Sequence, residues 1–279
     1  MELIIAKTSG FCEGVKEAYE KVDDYLDKHP GKTIYTQYEL VHNPSVNEKL
    51  GKKGFKLIND VSVLEKGSVC VINAHGDPKT IKKAESLGLK IIDATCSKVK
   101  YSQMNAKTLS EEGYTIVFLG EPDHIEVKGV VDYVGKNIFV VKDLEEVKNL
   151  NLLKDQKIAF LSQTTQIPEK FYEIKKYFEE NFQNLKIVDT ICLATKERQD
   201  EAVNVAKQVD VMIVVGGYKS SNTKKLFEIC KKITLTYHIE SVEDLKNEWF
   251  ECKEKAGLIA GASTPYWIID EVVEKIKDL

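Results

Sequence analysis

Three cysteines stand in nearly the same local sequence. Gly10-Phe11-Cys12-Glu13-Gly14-Val15-Lys16, Ala94-Thr95-Cys96-Ser97-Lys98-Val99-Lys100 and Thr190-Ile191-Cys192-Leu193-Ala194-Thr195-Lys196 share the pattern C-x-x-[VT]-K. Each follows a short apolar run and opens a stretch with helical periodicity. A thiol at a helix N-terminus has a lowered pKa and is a good metal ligand. No C-x-x-C pair occurs, which argues against zinc ribbons and ferredoxin-type sites. Three distant single ligands suit a metal centre held between lobes, with one coordination position free. A 4Fe-4S cube on three thiolates has such an open iron, a Lewis acid in a cluster that also passes electrons. Cys70, Cys230 and Cys252 lie outside the repeat and read as core or surface thiols.

The intervals after the cysteines repeat as well. A polar residue appears 30, 28 and 28 positions on (His42, His124, Ser220), and a second 63, 68 and 71 positions on (His75, Thr164, Ser263). Val211-Met212-Ile213-Val214-Val215 runs through Gly216-Gly217 into Ser220-Ser221-Asn222-Thr223, a strand, a turn and a hydroxyl-rich helix start. Main-chain and hydroxyl donors at such a helix end make a phosphate site, although the spacing is not that of a Walker loop. Gly261-Ala262-Ser263-Thr264-Pro265 repeats the idea, with Pro265 expected at the first helical position. His42, His75 and His124 are expected to meet phosphate as charged imidazoles, whereas His29 and His238 stand apart. Glu126 follows His124 by two residues; in a dry cavity its pKa would rise and make it a proton donor. The H-x-E of a zinc deaminase is present there without the P-C-x-x-C that completes it. Of 40 basic residues, 39 are lysine and only Arg198 is arginine. Its expected role is structural, fixing the turn after Cys192.

The elements that must place these residues alternate. Val69–Ile72, Ile116–Leu119, Ile158–Leu161, Val211–Val215 and Leu258–Ala260 are continuous apolar runs separated by polar helical stretches. Strands of that kind are buried on both faces, so the expected fold is α/β with mostly parallel sheets. The repeat divides it into three similar lobes in pseudo-threefold arrangement around a central cavity. Their expected limits are residues 13–96, 97–192 and 193–279, the last completed by the N-terminal strand within 1–12. Ligands bind at the carboxyl ends of parallel strands, which aims the repeated residues at one place. A net charge of −4 argues against nucleic acid or a membrane surface as partner. No apolar run approaches the roughly 20 residues of a membrane span, and no secretory signal opens the chain. The expected location is cytoplasmic, with reduced thiols.

Together these residues resemble the LytB family of 4-hydroxy-3-methylbut-2-enyl diphosphate reductases. The resemblance rests on Phe11-Cys12-Glu13-Gly14-Val15, Val41-His42-Asn43-Pro44, Ala74-His75-Gly76, Asp93-Ala94-Thr95-Cys96 and His124-Ile125-Glu126-Val127. It continues through Ser162-Gln163-Thr164-Thr165-Gln166, Cys192-Leu193-Ala194-Thr195 with Arg198-Gln199, Ser220-Ser221-Asn222-Thr223 and Gly261-Ala262-Ser263. It implies a three-lobed fold with a 4Fe-4S cluster on Cys12, Cys96 and Cys192. It implies a small allylic diphosphate held by His42, His75, His124, Ser220, Ser221, Asn222 and Ser263. Thr164 would meet the substrate's hydroxyl end, and Glu126 would supply the proton. The implied reaction is reductive dehydroxylation to isopentenyl and dimethylallyl diphosphate, the last step of the non-mevalonate isoprenoid route, with reduced ferredoxin or flavodoxin as donor. The alternative is a non-redox iron-sulfur lyase acting on a small diphosphate; a cluster-bearing sensor and a zinc centre are further rivals.

Overall fold

A computed structural model describes residues 1–278, folded as three four-stranded parallel sheets. The first contains β2 (Ile34–Thr36), β3 (Phe55–Leu57), β4 (Val69–Ile72) and β5 (Lys90–Asp93), in the order β3-β2-β4-β5. The second contains β6 (Thr115–Leu119), β7 (Ile138–Val141), β8 (Ile158–Ser162) and β9 (Leu185–Ile187), in the order β7-β6-β8-β9. The third contains β10 (Val211–Val215), β11 (Leu235–Ile239) and β12 (Lys255–Ala260), and β1 (Glu2–Ile5) closes its edge beside β12. Strand β1 therefore completes the third sheet, as the repeat requires. The registers are parallel throughout; Leu3 lies opposite Ala256, and Ile213 opposite Leu258.

Among the described residues ten α-helices cover the sheets. They are α1 (Glu13–Lys28), α2 (Pro44–Lys53), α3 (Pro78–Ser86), α4 (Ser97–Glu111), α5 (Ile125–Val134), α6 (Leu144–Lys148), α7 (Pro168–Asn181), α8 (Leu193–Ala206), α9 (Ser221–Lys231) and α10 (Tyr266–Lys277). Side chains alternate across each strand, so every sheet has a core on both faces. Val211, Ile213 and Val215 pack into one cluster, while Met212 and Val214 pack into another. Phe160 joins Phe171 and Phe178 on one side of the second sheet, and Leu161 packs with Phe118 on the other. Full burial of side chains this size contributes about 1.5–3 kcal/mol each, which holds the loops at the strand ends in place. Some boundaries differ slightly from the sequence reading. Pro265 precedes the first residue of α10 rather than occupying it, and the apolar run Leu258–Ala260 is the end of a longer strand, Lys255–Ala260.

The three sheets share one winding, second-first-third-fourth along each lobe. The strand order reverses between the first and third strands, and the loops that leave those strands open a crevice there. His42, His124 and Ser220 follow the first strands β2, β6 and β10, while His75, Thr164 and Ser263 follow the third strands β4, β8 and β12. The fourth strands, β5, β9 and β1, lead into Cys96, Cys192 and Cys12.

Candidate active site

All three repeat cysteines occupy helix N-caps, of α1, α4 and α8, and none makes a side-chain capping bond. Several other helices are capped by side chains, α2 by Asn43, α3 by Asp77 and α9 by Ser220, whereas α7 and α10, with Ile167 and Pro265 at the N-cap, are not. Forgoing a cap costs about 1 kcal/mol per helix and leaves backbone donors available to a ligand. Each cysteine is tied by its own N–H to a loop that carries another site residue. Cys12 donates to Ala262 O (3.2 Å), Cys96 to Ala74 O (3.0 Å) and Cys192 to Thr164 O (2.9 Å). All three thiols are free, half-buried, and line one cavity with His42, His75, His124, Glu126, Thr164, Ser220, Ser221, Asn222 and Ser263. The structure thus brings the three repeat cysteines and the nine residues expected to meet substrate to one place. Burial pushes the Cys12 and Cys96 thiols above their ordinary value; N–H groups of Val15 and Gly14, and of Lys98 and Val99, pull the other way. Cys70 and Cys230 are core residues, and Cys252 sits in an exposed turn at φ 57°.

The histidine rings form a tight triangle, with centroid separations of 4.7, 5.2 and 5.7 Å. Three cations cannot share that space, and burial lowers all three pKa values. His124 falls to about 3 and His75 falls well below its usual value, with the neighbouring imidazoles adding to the shift. Burial and mutual proximity disfavour the charged form of all three rings, so the charge expected on them at phosphate would have to be drawn out by the anion itself. Their orientation is partly fixed by the fold. His124 Nδ1 accepts from Glu126 N–H at the start of α5 (3.2 Å), which leaves the proton on Nε2. His42 Nδ1 faces the Glu39 carboxylate at 3.4 Å. His75 Nδ1 is buried and without a partner, as are both polar atoms of the Asn222 amide. Buried polar atoms left unpaired by the protein are the mark of a ligand site.

Ser221 was legible in the sequence, but its surroundings were not. Its hydroxyl oxygen receives donors from Lys225 Nζ (3.0 Å), Thr165 Oγ1 (3.1 Å) and Gln163 Nε2 (3.3 Å). An oxygen so supplied is left to donate its own proton into the cavity. Lys225 is only 7% exposed, and burial lowers its pKa. A cleft of about 610 Å³ shares His42, His124 and Ser221 with the site and is edged by Lys128, Lys170, Lys219, Lys224 and Lys225. Lysines therefore do surround the approach, although hydroxyls, an amide and imidazoles line the cavity itself. Another cleft, about 630 Å³ and lined by Asp77, Thr80 and Asp132, has no cysteine or histidine in its lining.

Glu126 is 1% exposed and pairs with Thr164 twice. Thr164 N–H donates to Oε1 at 2.7 Å, and Thr164 Oγ1 to Oε2 at 2.9 Å. Burial dominates these bonds and raises the carboxyl to about 7. A carboxyl poised there can hold a proton at neutral pH and release it through the threonine hydroxyl.

A family model described as LytB protein matches residues 3–277. The chain belongs to the LytB family. A 4-hydroxy-3-methylbut-2-enyl diphosphate reductase of Geotalea uraniireducens is 41% identical over 281 residues, covering 100% of this chain and 98% of that protein. One from Alkaliphilus oremlandii is 38% identical over 282 residues, with each chain covered in full. The solved E-1-hydroxy-2-methyl-but-2-enyl-4-diphosphate reductase from Plasmodium falciparum superposes on this LytB chain with a TM-score of 0.93. That match is 29% identical and covers 99% of this chain and 88% of the other. Among the described residues, no helix of this LytB chain is long and apolar enough to cross a membrane.

Proposed function

We propose that this LytB chain reduces (E)-4-hydroxy-3-methylbut-2-enyl diphosphate to isopentenyl and dimethylallyl diphosphate, the terminal step of the non-mevalonate route. One observation carries the reading: a buried, protonatable Glu126–Thr164 pair opens onto the same cavity as three free cysteines, His75 Nδ1 and the Asn222 amide, the last two without partners among the described residues. The residues present also fit an iron-sulfur cube. Among the described residues, only His42, His75 and His124 bring ligand atoms within 4.8 Å of one another. The three thiols do not all lie within that distance of one another, which disfavours one zinc ion on all three and suits a polynuclear centre. Gly14 leaves a space that a Cβ would fill by striking Cys96 Sγ. When bound on Cys12, Cys96 and Cys192, a 4Fe-4S cluster would supply two electrons singly and an open iron as Lewis acid.

The chain's own residues do the rest. Ser220, Ser221, Asn222 and Ser263 donate to the diphosphate, and His42, His75 and His124 add imidazole donors. Thr164 meets the substrate hydroxyl and relays the proton held on Glu126. Removal of that hydroxyl as water takes up two electrons and two protons in all, one proton for the leaving oxygen and one for carbon. The donor would be a reduced ferredoxin or flavodoxin. The lobe limits 13–96, 97–192 and 193–279 with 1–12 belong to this reading and are supported by sheet membership.

Anaerobic protein given substrate without reductant should form no product, and dithionite or reduced ferredoxin should start turnover. Turnover without any donor would favour the non-redox lyase. Gly14→Ala should lower iron bound per chain while the fold persists, because overpacking of about 1–3 kcal/mol falls on the Cys96 thiol, not on a core residue. Iron and sulfide analysis beside thermal unfolding reads this; a full iron complement would show that the thiol has room to move.

A further inference from the structure

Arg198 stands on α8, six residues after Cys192, and is 3% exposed. Its Nε and Nη1 are buried, and among the described residues neither has a hydrogen-bond partner. The structural role expected from sequence does not survive this. The turn after Cys192 is closed by backbone alone, through Thr195 N–H to Cys192 O (2.8 Å) and Lys196 N–H to the same oxygen (3.1 Å). Nor is the guanidinium neutralised by a committed carboxylate. Glu201, nearly one turn further on, is held by the N–H groups of Lys7 (2.5 Å) and Thr8 (2.7 Å). Burial disfavours its charge, and ionised Cys12 and Cys192 thiolates, like Glu201, would favour it.

A buried cation without a counter-ion is costly, and arginine does not shed its proton to escape the cost. Its position implies an anion that the protein chain alone does not supply. A cube on three thiolates is net negative and gains a further negative charge on accepting an electron. We propose that Arg198 is the counter-ion of the three-cysteine centre, holding a fixed positive charge beside Cys12 and Cys192 that favours the reduced cluster. It is a positioning and electrostatic residue and makes no contact with substrate. The step it assists is addition of one electron from a low-potential donor, with no bond made or broken. The position is the single arginine among 40 basic residues. A lysine there would supply the charge only in part, being compact, strongly hydrated and readier to give up its proton, whereas a guanidinium remains fully charged. The inference rests on the cluster reading given above.

Anaerobically reconstituted wild type, Arg198→Lys and Arg198→Gln would be compared by redox titration followed by electron paramagnetic resonance, with iron content and thermal unfolding measured on each. Arg198→Gln should shift the cluster midpoint to a more negative potential, with Arg198→Lys between it and wild type. If Arg198→Gln does not load iron, the comparison passes to iron content, and the proposal requires Arg198→Lys to load more. Glutamine and lysine variants that behave alike, whether both intact or both defective, overturn it, as does a lysine variant worse than glutamine. A wild type that assembles no cluster removes the functional reading itself, and this inference with it.

Discussion

Glu126→Gln should lower kcat by about 10²–10⁴-fold, the range that a positioned general acid contributes. The substitution preserves the local bonding. A glutamine Oε1 still accepts from Thr164 N–H, and its Nε2 can donate to Thr164 Oγ1, so what disappears is the transferable proton. KM should change little, because the residues proposed for the diphosphate remain in place. The wild-type profile follows from the raised carboxyl at about 7. The protonated form is the active one, so kcat should be level below that pH and fall about tenfold per unit above it. The same shift has a stability consequence of opposite benefit. Between the ordinary 4.5 and the raised value the folded state holds a proton that the unfolded chain releases, so this group's contribution to stability falls as pH rises through that window. A shift of that size corresponds to roughly 3 kcal/mol. Glu126→Gln removes the penalty, so its thermal midpoint should exceed wild type at pH 8 and approach it near pH 4. A midpoint difference that does not change with pH would show that this carboxyl titrates normally.

The parts of the site that repeat were legible in the sequence, because repetition gives a short motif a context. Five residues around Cys12 mean little alone. The same pattern at Cys96 and Cys192, each at a strand-to-helix turn, places three thiols on one centre. The winding of the sheets explains why His42 and His75, or Ser220 and Ser263, meet: they leave the first and third strands, where the order reverses. What was not legible was set by burial across lobes. Lys225 lies on an amphipathic helix where lysine ordinarily faces solvent, yet it is buried and bonds Ser221, which Gln163 and Thr165 of another lobe also reach. How strongly burial opposes charge on the histidines was hidden for the same reason. A lone imidazole at a strand exit can ionise, but three within 6 Å in a buried cavity cannot all do so. Arg198 was conspicuous by type, yet its direction was not, since nothing in a linear pattern shows that two of its nitrogens end without partners.

Cys12→Ser, Cys96→Ser and Cys192→Ser should each give colourless protein with activity below about a hundredth of wild type. Loss of a supporting outer partner of a metal ligand already costs about 10–100-fold, so loss of the ligand should cost more. These variants should nevertheless fold. Each cysteine holds its place through a backbone N–H, to Ala262, Ala74 or Thr164, and a serine keeps that bond and can cap the helix as cysteine does not. The remaining cysteines provide the opposite pattern. Cys70 is fully buried in the cluster with Ile72 and Ala84, so Cys70→Ser places a hydroxyl in apolar surroundings at a cost of about 1–3 kcal/mol. It should unfold earlier and remain brown. Cys230→Ser should also stay brown, its hydroxyl having Ala202 O nearby, and Cys252→Ser in an exposed turn should alter neither property. Colour and stability thus separate in opposite directions at Cys12 and Cys70. A generally damaging Cys→Ser change would lower both together at each position. If Cys96→Ser kept its brown absorbance, the centre would not be the three-cysteine cluster proposed here.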